Sequence, residues 1–342
     1  QNYYMQNTPL GYDKDEIIIT NMNNNIRKSR DAFASQVKSF SGIEEVTYAE
    51  MLLSSQDQYM GWGRKYRDKD IQFQCLPVEP SFLKVMNVKI SEGRDFREED
   101  KAKRYGTFVF NERARTEYGL EIGSLIDSME IVGFMPDVKF ASFRTEVTPM
   151  AFFVWGTNNW GNQPNYAYIK VKAGSDLRGA MQHVKTTLQS FDPEYPFNVR
   201  FFDEVLNGLY EKERSLSSLI TLFSLIAIFI SVVGVFGLVV FDSEYRKKEI
   251  GIRKVLGSTT EEIIVMFNKT YIRILCVCFV LGAPIAGYVV HRWLENFAYK
   301  TPMYWWVYLI AFAIIAVITI LTVTFQNWRA ANENPVHSIK NE

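Results

Sequence analysis

The residue types that usually carry chemistry are few in this sequence, and they do not gather. Of its three histidines, His183 falls in a predicted soluble helix, His291 at the end of an apolar run and His337 in the C-terminal tail. That placement keeps them from sharing one metal. No G-x-x-x-x-G-K-[ST] is present to cradle a nucleotide, and Gly251 to Gly257 lacks both the Lys and the preceding strand. Gly93-Arg94-Asp95-Phe96 reads as a turn with a solvated Arg and Asp, and Pro136-Asp137 as another turn. The three cysteines make no disulfide framework: Cys75 is a lone thiol, while Cys276 and Cys278 in an apolar run read as small buried hydrophobes. No nucleophile–base constellation emerges, so we assign no catalytic, cofactor-binding or metal residue. Charge is balanced, 38 acidic against 38 basic residues with no basic tract, which argues against a nucleic-acid partner.

What stands out is one dense charged segment, Ser243 to Glu262, wedged between apolar runs. Glu244/Lys248 and Glu249/Arg253 are four apart with the acid first, the favourable order on a helix. Ile252, Val255 and Leu256 give a helical apolar stripe. Gly257 is placed to end that helix in a left-handed turn, and Ser258 or Thr259 to cap the next, with Glu261 or Glu262 closing a capping box. Acids interleaved among the bases favour a protein socket over contact with lipid headgroups.

The flanking elements say where this segment sits. Leu216 to Phe241, Ile274 to Val290 and Val307 to Phe325 are long and apolar. A bilayer core of about 30 Å needs ~20 such residues, so each reads as a spanning helix, at about 215–241, 271–293 and 306–326. Tyr304, Trp305 and Trp306 form an interfacial belt, and Pro284 is expected to kink the second helix. Small residues at Gly282/Ala286 and Ala283/Gly287 permit close helix approach. The loop after the first run carries Arg246, Lys247, Lys248, Arg253, Lys254, Lys269 and Arg273, whereas the next carries only Lys300, so the charged segment is expected in the cytoplasm. The N-terminal part is then outside. Exporting it requires an upstream spanning helix, giving four expected in the intact unit.

Residues 1–205 read as an α+β domain and 206–342 as an all-α transmembrane bundle. Strands are expected at Glu16–Thr20, Glu45–Ala49, Ile71–Val78, Thr107–Phe110, Ile126–Phe134, Met150–Trp155, Tyr166–Val171 and Asn198–Phe202. Helices are expected at Asn25–Phe40, from Pro80 to Met86, at Asn111–Tyr118, at Leu177–Phe191, and from Asp203 straight into the first apolar run. Gln56–Asp70 reads as an exposed hairpin or loop, and Asn158–Asn165 as a turn-rich insertion.

Glu244 to Ser258 (E-Y-R-K-K-E-I-G-I-R-K-V-L-G-S), directly after a spanning run, resembles the hallmark segment of FtsX-like ABC-transporter permeases. The tail Arg329 to Ile339 is similar to that family's closing motif. G-Y-D-K-D (Gly11–Asp15), V-E-P-S-F (Val78–Phe82), E-G-R-D-F (Glu92–Phe96), N-E-R-A (Asn111–Ala114) and I-V-G-F-M-P-D-V (Ile131–Val138) resemble a MacB-like periplasmic core. Val255 and Ser258 depart from the family's small alanines.

The resemblance implies a non-catalytic permease of the mechanotransmission type in the bacterial inner membrane, with its N-terminal domain in the periplasm. Glu244, Arg246, Lys248, Glu249, Gly251, Arg253, Lys254, Leu256 and Gly257 would form a coupling helix, at about 243–257, that docks on a separate cytoplasmic ABC ATPase. That subunit would bind ATP and Mg. A second permease half, as a homodimer or tandem repeat, and a periplasmic adaptor or outer-membrane partner are further expectations. The cargo would be an antimicrobial compound, a peptide or a lipoprotein. The alternative is a membrane-anchored sensor or activator whose outer domain binds a peptide signal or controls a cell-wall hydrolase. Tyr59–Tyr66 and Trp155–Trp160 match no family pattern and are where specificity is expected.

Overall fold

The computed structural model describes residues 10–55, 59–140, 145–161, 163–246, 249, 252–253 and 256–331. Two units emerge: residues 1–213 with 297–299, and residues 214–296 with 300–342.

The first unit is built on a mixed sheet. Its strands are β1 (Ile17–Asn21), β2 (Ile43–Ala49), β3 (Gly61–Tyr66), β4 (Lys69–Val78), β5 (Glu92–Gly93), β6 (Thr107–Asn111), β7 (Leu125–Ile126), β8 (Met129–Met135), β9 (Met150–Val154), β10 (Tyr166–Val171) and β11 (Arg200–Phe201). They lie in the order β11-β1-β10-β2-β4-β9-β6-β8-β5, with β3 added to β4 and β7 to β8. The pairs β4·β9 and β6·β8 are parallel and the rest antiparallel, which gives the expected mixture of sheet and helix. Helices are α1 (Asn24–Lys28), α2 (Arg30–Val37), α3 (Phe82–Val85), α4 (Glu112–Tyr118), α5 (Leu177–Phe191) and α6 (Phe202–Leu209).

Side chains alternate between two dry faces, which explains why strands such as Ile17-Ile18-Ile19 read as unbroken apolar runs. Ile17, Ile19, Val109, Phe152 and Val154 enter one cluster that runs across the whole sheet with Phe82, Tyr168 and Phe202. The opposite face is divided. Ile18, Phe33, Val184 and Leu188 pack under α1, α2 and α5 at one end. Phe73, Phe108, Phe110 and Phe153 pack with α4 at the other, their rings in edge and tilted contacts.

Several local expectations change. The single helix Asn25–Phe40 is two helices, because the Asn23 side chain caps the first through the Ile26 N–H (2.9 Å) and Ser29 breaks the run. Ile126–Phe134 is not one strand: Asp127 and Ser128 take positive φ (47° and 72°) and turn the chain between β7 and β8. The expected strand Asn198–Phe202 shortens to Arg200–Phe201, and Tyr210 interrupts the helix that follows.

Gly93–Phe96 is not a solvated turn. Arg94 grips the buried Asp100 with two bonds of 2.8 and 2.9 Å, and the Arg97 N–H adds a third at 2.8 Å. Burial alone would raise the Asp100 pKa, but these donors outweigh it and hold the carboxyl below its usual range. Gly93 (φ +81°) and Gly133 exclude any side chain here, since a Cβ on either would lie 2.4 Å from the Val132 carbonyl or 2.3 Å from that of Arg94. Asn111 and Asp137 are structural as well. Asn111 Oδ1 accepts from Ala114 N and Met150 N, capping α4 and tying it to β9, while Asp137 accepts from Arg113 N at 2.8 Å.

The second unit holds α7 (Glu211–Tyr245), α8 (Thr260–Leu294) and α9 (Trp305–Ala331). Within them Ser215–Asp242, Thr260–Leu294 and Trp305–Phe325 are long and apolar enough to cross a membrane. Helix α8 continues through Pro284. Cys276 and Cys278 lie exposed on α8 rather than buried, and Cys75 is the buried thiol.

Two outcomes follow from the first unit. Asn111→Ala removes a cap and strands the buried Met150 N–H, and should cost about 2–3 kcal/mol in denaturant unfolding. Asp95 is pushed up to about 6, chiefly by burial. Its folded pKa exceeds the unfolded one, so folding takes up a proton between the two values and stability falls as pH rises from about 4 to 6. Asp95→Asn should raise the pH 7 melting temperature and flatten that slope, by on the order of 1 kcal/mol after allowing for partial solvent screening.

Candidate functional site

The charged segment begins where α7 leaves its apolar stretch. Asp242 receives the Arg246 guanidinium at 2.9 Å, one helical turn on. Arg253 reaches back to Glu249 at 2.8 Å, the predicted i,i+4 pair, and its other amino group lies 3.1 Å from the Met266 sulfur. Both partners of that pair are exposed, so it adds only tenths of a kcal/mol and chiefly sets the direction of the guanidinium. Lys248, Gly251, Lys254 and Val255 lie outside the described residues, as does the Glu244/Lys248 pair.

Ser258 N bonds to Arg253 O at 2.9 Å, and Leu256 N to Ile252 O at 3.0 Å. Gly257 takes φ +94°, the left-handed turn that its position called for. The next helix starts with a capping box in which Thr259 is the cap. Its Oγ1 accepts from Glu262 N (3.3 Å), and its own N–H donates to Glu262 Oε2 (3.1 Å). Of the two options at each position, Thr259 and Glu262 are the pair used.

One turn into α8, Ile263 and Phe267 are buried with Val239 of α7 and Val323 of α9. Asn268 Nδ2 also donates to Thr324 Oγ1 at 2.9 Å. These contacts bind the three helices together beside the charged segment. By contrast Ile252 (57% exposed) and Leu256 (80% exposed) present apolar surface left open among the described residues. The joint thus presents exposed apolar residues beside the Glu249–Arg253 pair.

The histidines stay apart from it. His183 stacks on Phe40 and contacts the Gln36 carbonyl at 3.0 Å, His291 lies 3.6 Å from Glu295, and His337 is outside the described residues. Among the described residues no group of three or more His, Cys, Asp or Glu is placed to hold a metal ion.

The two aromatic stretches that match no family pattern are far apart in sequence yet meet in the first unit. The Trp62 ring lies 5.7 Å from Trp160 and 5.0 Å from Phe153, with the Arg64 guanidinium 4.4 Å from its centroid. Trp160 donates to Glu50 at 2.7 Å, and Arg30 lies 4.6 Å from the Trp155 ring. Of the exposed hairpin or loop expected at Gln56–Asp70, the described residues form the hairpin, but its Trp62 and Tyr66 are buried rather than exposed. No spacing rule in the sequence could have joined Trp62 to Trp160, because the sheet brings them together. Thr259→Ala should remove about 1 kcal/mol of cap energy and speed hydrogen exchange in the first turn of α8 about fivefold, leaving α9 unchanged.

Similarity to known proteins agrees with this anatomy. Residues 5–187 match the model of the MacB-like periplasmic core domain, and residues 221–335 that of the FtsX-like permease C-terminal region. The macrolide export ATP-binding/permease protein MacB of Chromobacterium violaceum is 23% identical over 230 residues, covering 64% of this chain and 35% of that protein. Its Escherichia coli K12 counterpart is 23% identical over 233 residues, with the same shares. The chain thus spans about a third of the length of these curated relatives. Among solved structures, the periplasmic region of MacB from Actinobacillus actinomycetemcomitans aligns with TM-score 0.43 and 14% identity over 59% of this chain and 95% of that one. The extracellular domain of the noncanonic ABC-type transporter YknZ aligns with TM-score 0.38 and 12% identity over 54% and 99%. Because a periplasmic-core match covers more than half of the sequence and a permease match follows it in order, the chain belongs to the FtsX-like ABC-transporter permeases with a MacB-like periplasmic core.

Proposed function

We propose that this chain is the subunit that relays the motion of a separate cytoplasmic ABC ATPase to its own periplasmic domain, and that residues 243–257 are the contact with that ATPase. The observation carrying this reading is the joint itself: exposed Ile252 and Leu256, an oriented Arg253, a left-handed Gly257 and a capped α8 packed on its neighbours. Such a joint passes a push on the segment into α8 instead of absorbing it. ATP and Mg belong to the partner. The segment is on the cytoplasmic side of a bacterial inner membrane, as its excess of Arg and Lys supports. A second permease half completes the assembly, and the work goes into export or release of a cargo rather than chemistry on it.

Reversing the pair, Glu249→Arg with Arg253→Glu, keeps an ion pair within the segment while inverting what a partner meets. With the cognate ATPase in liposomes, the variant should insert and melt as the parent does, yet lose at least about tenfold of ATPase coupling, as expected when a few oriented contacts worth about 1.4 kcal/mol are lost. Coupling equal to the parent's would refute the reading. Co-purification of a cell-wall hydrolase in place of an ATPase would move the chain to the activator alternative.

A further inference from the structure

The seam between α8 and α9 holds a polar contact that its apolar surroundings do not require. Ile263 and Phe267 of α8 meet Val323 of α9 and Val239 of α7 in a buried cluster. One residue on from Phe267 and from Val323, Asn268 Nδ2 donates to Thr324 Oγ1 at 2.9 Å. The other end of that amide is worse placed. Asn268 Oδ1 is buried and accepts no hydrogen bond among the described residues. An unpaired buried acceptor carries a desolvation penalty that an apolar side chain of like shape would not. Stability is therefore a poor account of this residue, and alignment is a better one.

A hydrogen bond holds at one alignment, whereas methyl packing tolerates several. Further along α8, Phe279 meets Phe312 of α9 with ring centroids 4.8 Å apart, so the two helices pass each other antiparallel. Beyond that ring contact the seam loosens: Gly282, Ala283 and Ala286 face Tyr308 and Ala311 across a groove of about 300 Å³. Small and aliphatic surfaces of this kind pack nearly as well one turn out of step, and a ratchet of about 5.4 Å is how packed helices slip. Thr322 returns its hydroxyl to its own helix, at Ile318 O (2.8 Å), as membrane threonines can. Thr324 turns its oxygen to α8 instead.

We propose that Asn268, acting through Thr324, is the positioning residue that fixes the register of α8 against α9, so that displacing the capped end of α8 moves both helices together instead of sliding one along the other. A single polar pair in an apolar helix seam selects one alignment at a cost in stability. What the register serves rests on the coupling reading, but the register itself is read without any ATPase.

The test uses the full chain in liposomes, with the exposed Cys276 and Cys278 replaced by Ala. Phe279→Cys is combined with Phe312→Cys, or with Tyr308→Cys or Ala316→Cys one turn to either side, and oxidised with copper phenanthroline. In the parent the 279–312 disulfide should dominate. Asn268→Leu should raise the yield of the shifted disulfides at least about threefold relative to it, although the change lies roughly 16 Å away along α8. The same variant should melt about 2–4 °C higher, because the orphaned acceptor is gone and Thr324 can bond within its own helix. With the cognate ATPase added, it should lose at least about threefold of ATPase coupling despite its greater stability. Thr324→Val should shift the disulfides likewise yet melt lower, since both ends of the amide are then unpaired; it carries the test if the leucine variant does not insert. Thr324→Ser keeps the oxygen and should behave as the parent. Lower melting of Asn268→Leu with unshifted disulfides would make the pair an ordinary stabilising contact and overturn the proposal. Shifted disulfides with full coupling, where the Glu249/Arg253 reversal loses it, would overturn it too. If that reversal leaves coupling intact, the coupling reading falls by itself and the disulfides still decide the register.

Discussion

Outside the β3–β4 hairpin, whose one face is exposed, the sheet of the outer unit is dry on both faces, and most of its architecture answers that demand. A mixed sheet with one wet face could alternate polar and apolar residues; this one places Ile17 and Ile19 on one side and Ile18 on the other, all fully buried. One face is covered by a continuous cluster and the other by two separate ones, so the helices can be short wherever loops and aromatic rings complete the cover. The fold tolerates α3, a single turn, because Phe82 and Leu83 are buried in the continuous cluster. Several polar groups that enter this dry interior are bonded, Tyr12 OH to Ser54, Tyr168 OH to Met51 O, and Asp100 to Arg94, whereas Tyr66 OH and Thr107 Oγ1 are buried without a hydrogen-bond partner among the described residues.

A different economy governs the joint beside the long helices. Its stability comes from a small apolar knot, Val239, Ile263, Phe267 and Val323, and from backbone geometry at Gly257 and Thr259. The charges contribute little energy and much orientation. That division leaves Ile252 and Leu256 exposed beside a joint held in one shape.

Much of this was legible in the sequence, for reasons particular to each stretch. Leu177–Phe191 and Tyr166–Val171 appear at their predicted bounds, because a 3.6-residue apolar period and clean alternation are local signals. The left-handed turn at Gly257 and the capping box depend on residues within five positions of each other, so residue types alone foretold them. What misled was non-local or a matter of single residues. Arg94 and Asp95 look solvated in sequence because nothing in the residue types shows that Asp100, six positions on from Arg94 and fixing it, is buried. Asp127-Ser128 hides a hairpin turn, since Asp-Ser is a weaker turn signal than Asn-Gly. The helix Asn25–Phe40 breaks at Ser29 although its apolar spacing continues. The meeting of Trp62 with Trp160 depends on sheet order, which no local pattern encodes.

Helix α8 runs as 35 residues from Thr260 to Leu294, about 52 Å at 1.5 Å per residue. That exceeds the ~30 Å of a hydrocarbon core, so an appreciable stretch of it must stand clear of the lipid. A rod of this length converts angle into travel: tilting it by roughly 10° about one end carries the other through about 9 Å, far more than the sub-ångström shifts that packed interiors absorb. Pro284 sits about two-thirds of the way along, where a removed backbone bond lowers the cost of bending. Bending of α8 is therefore easiest at this one residue.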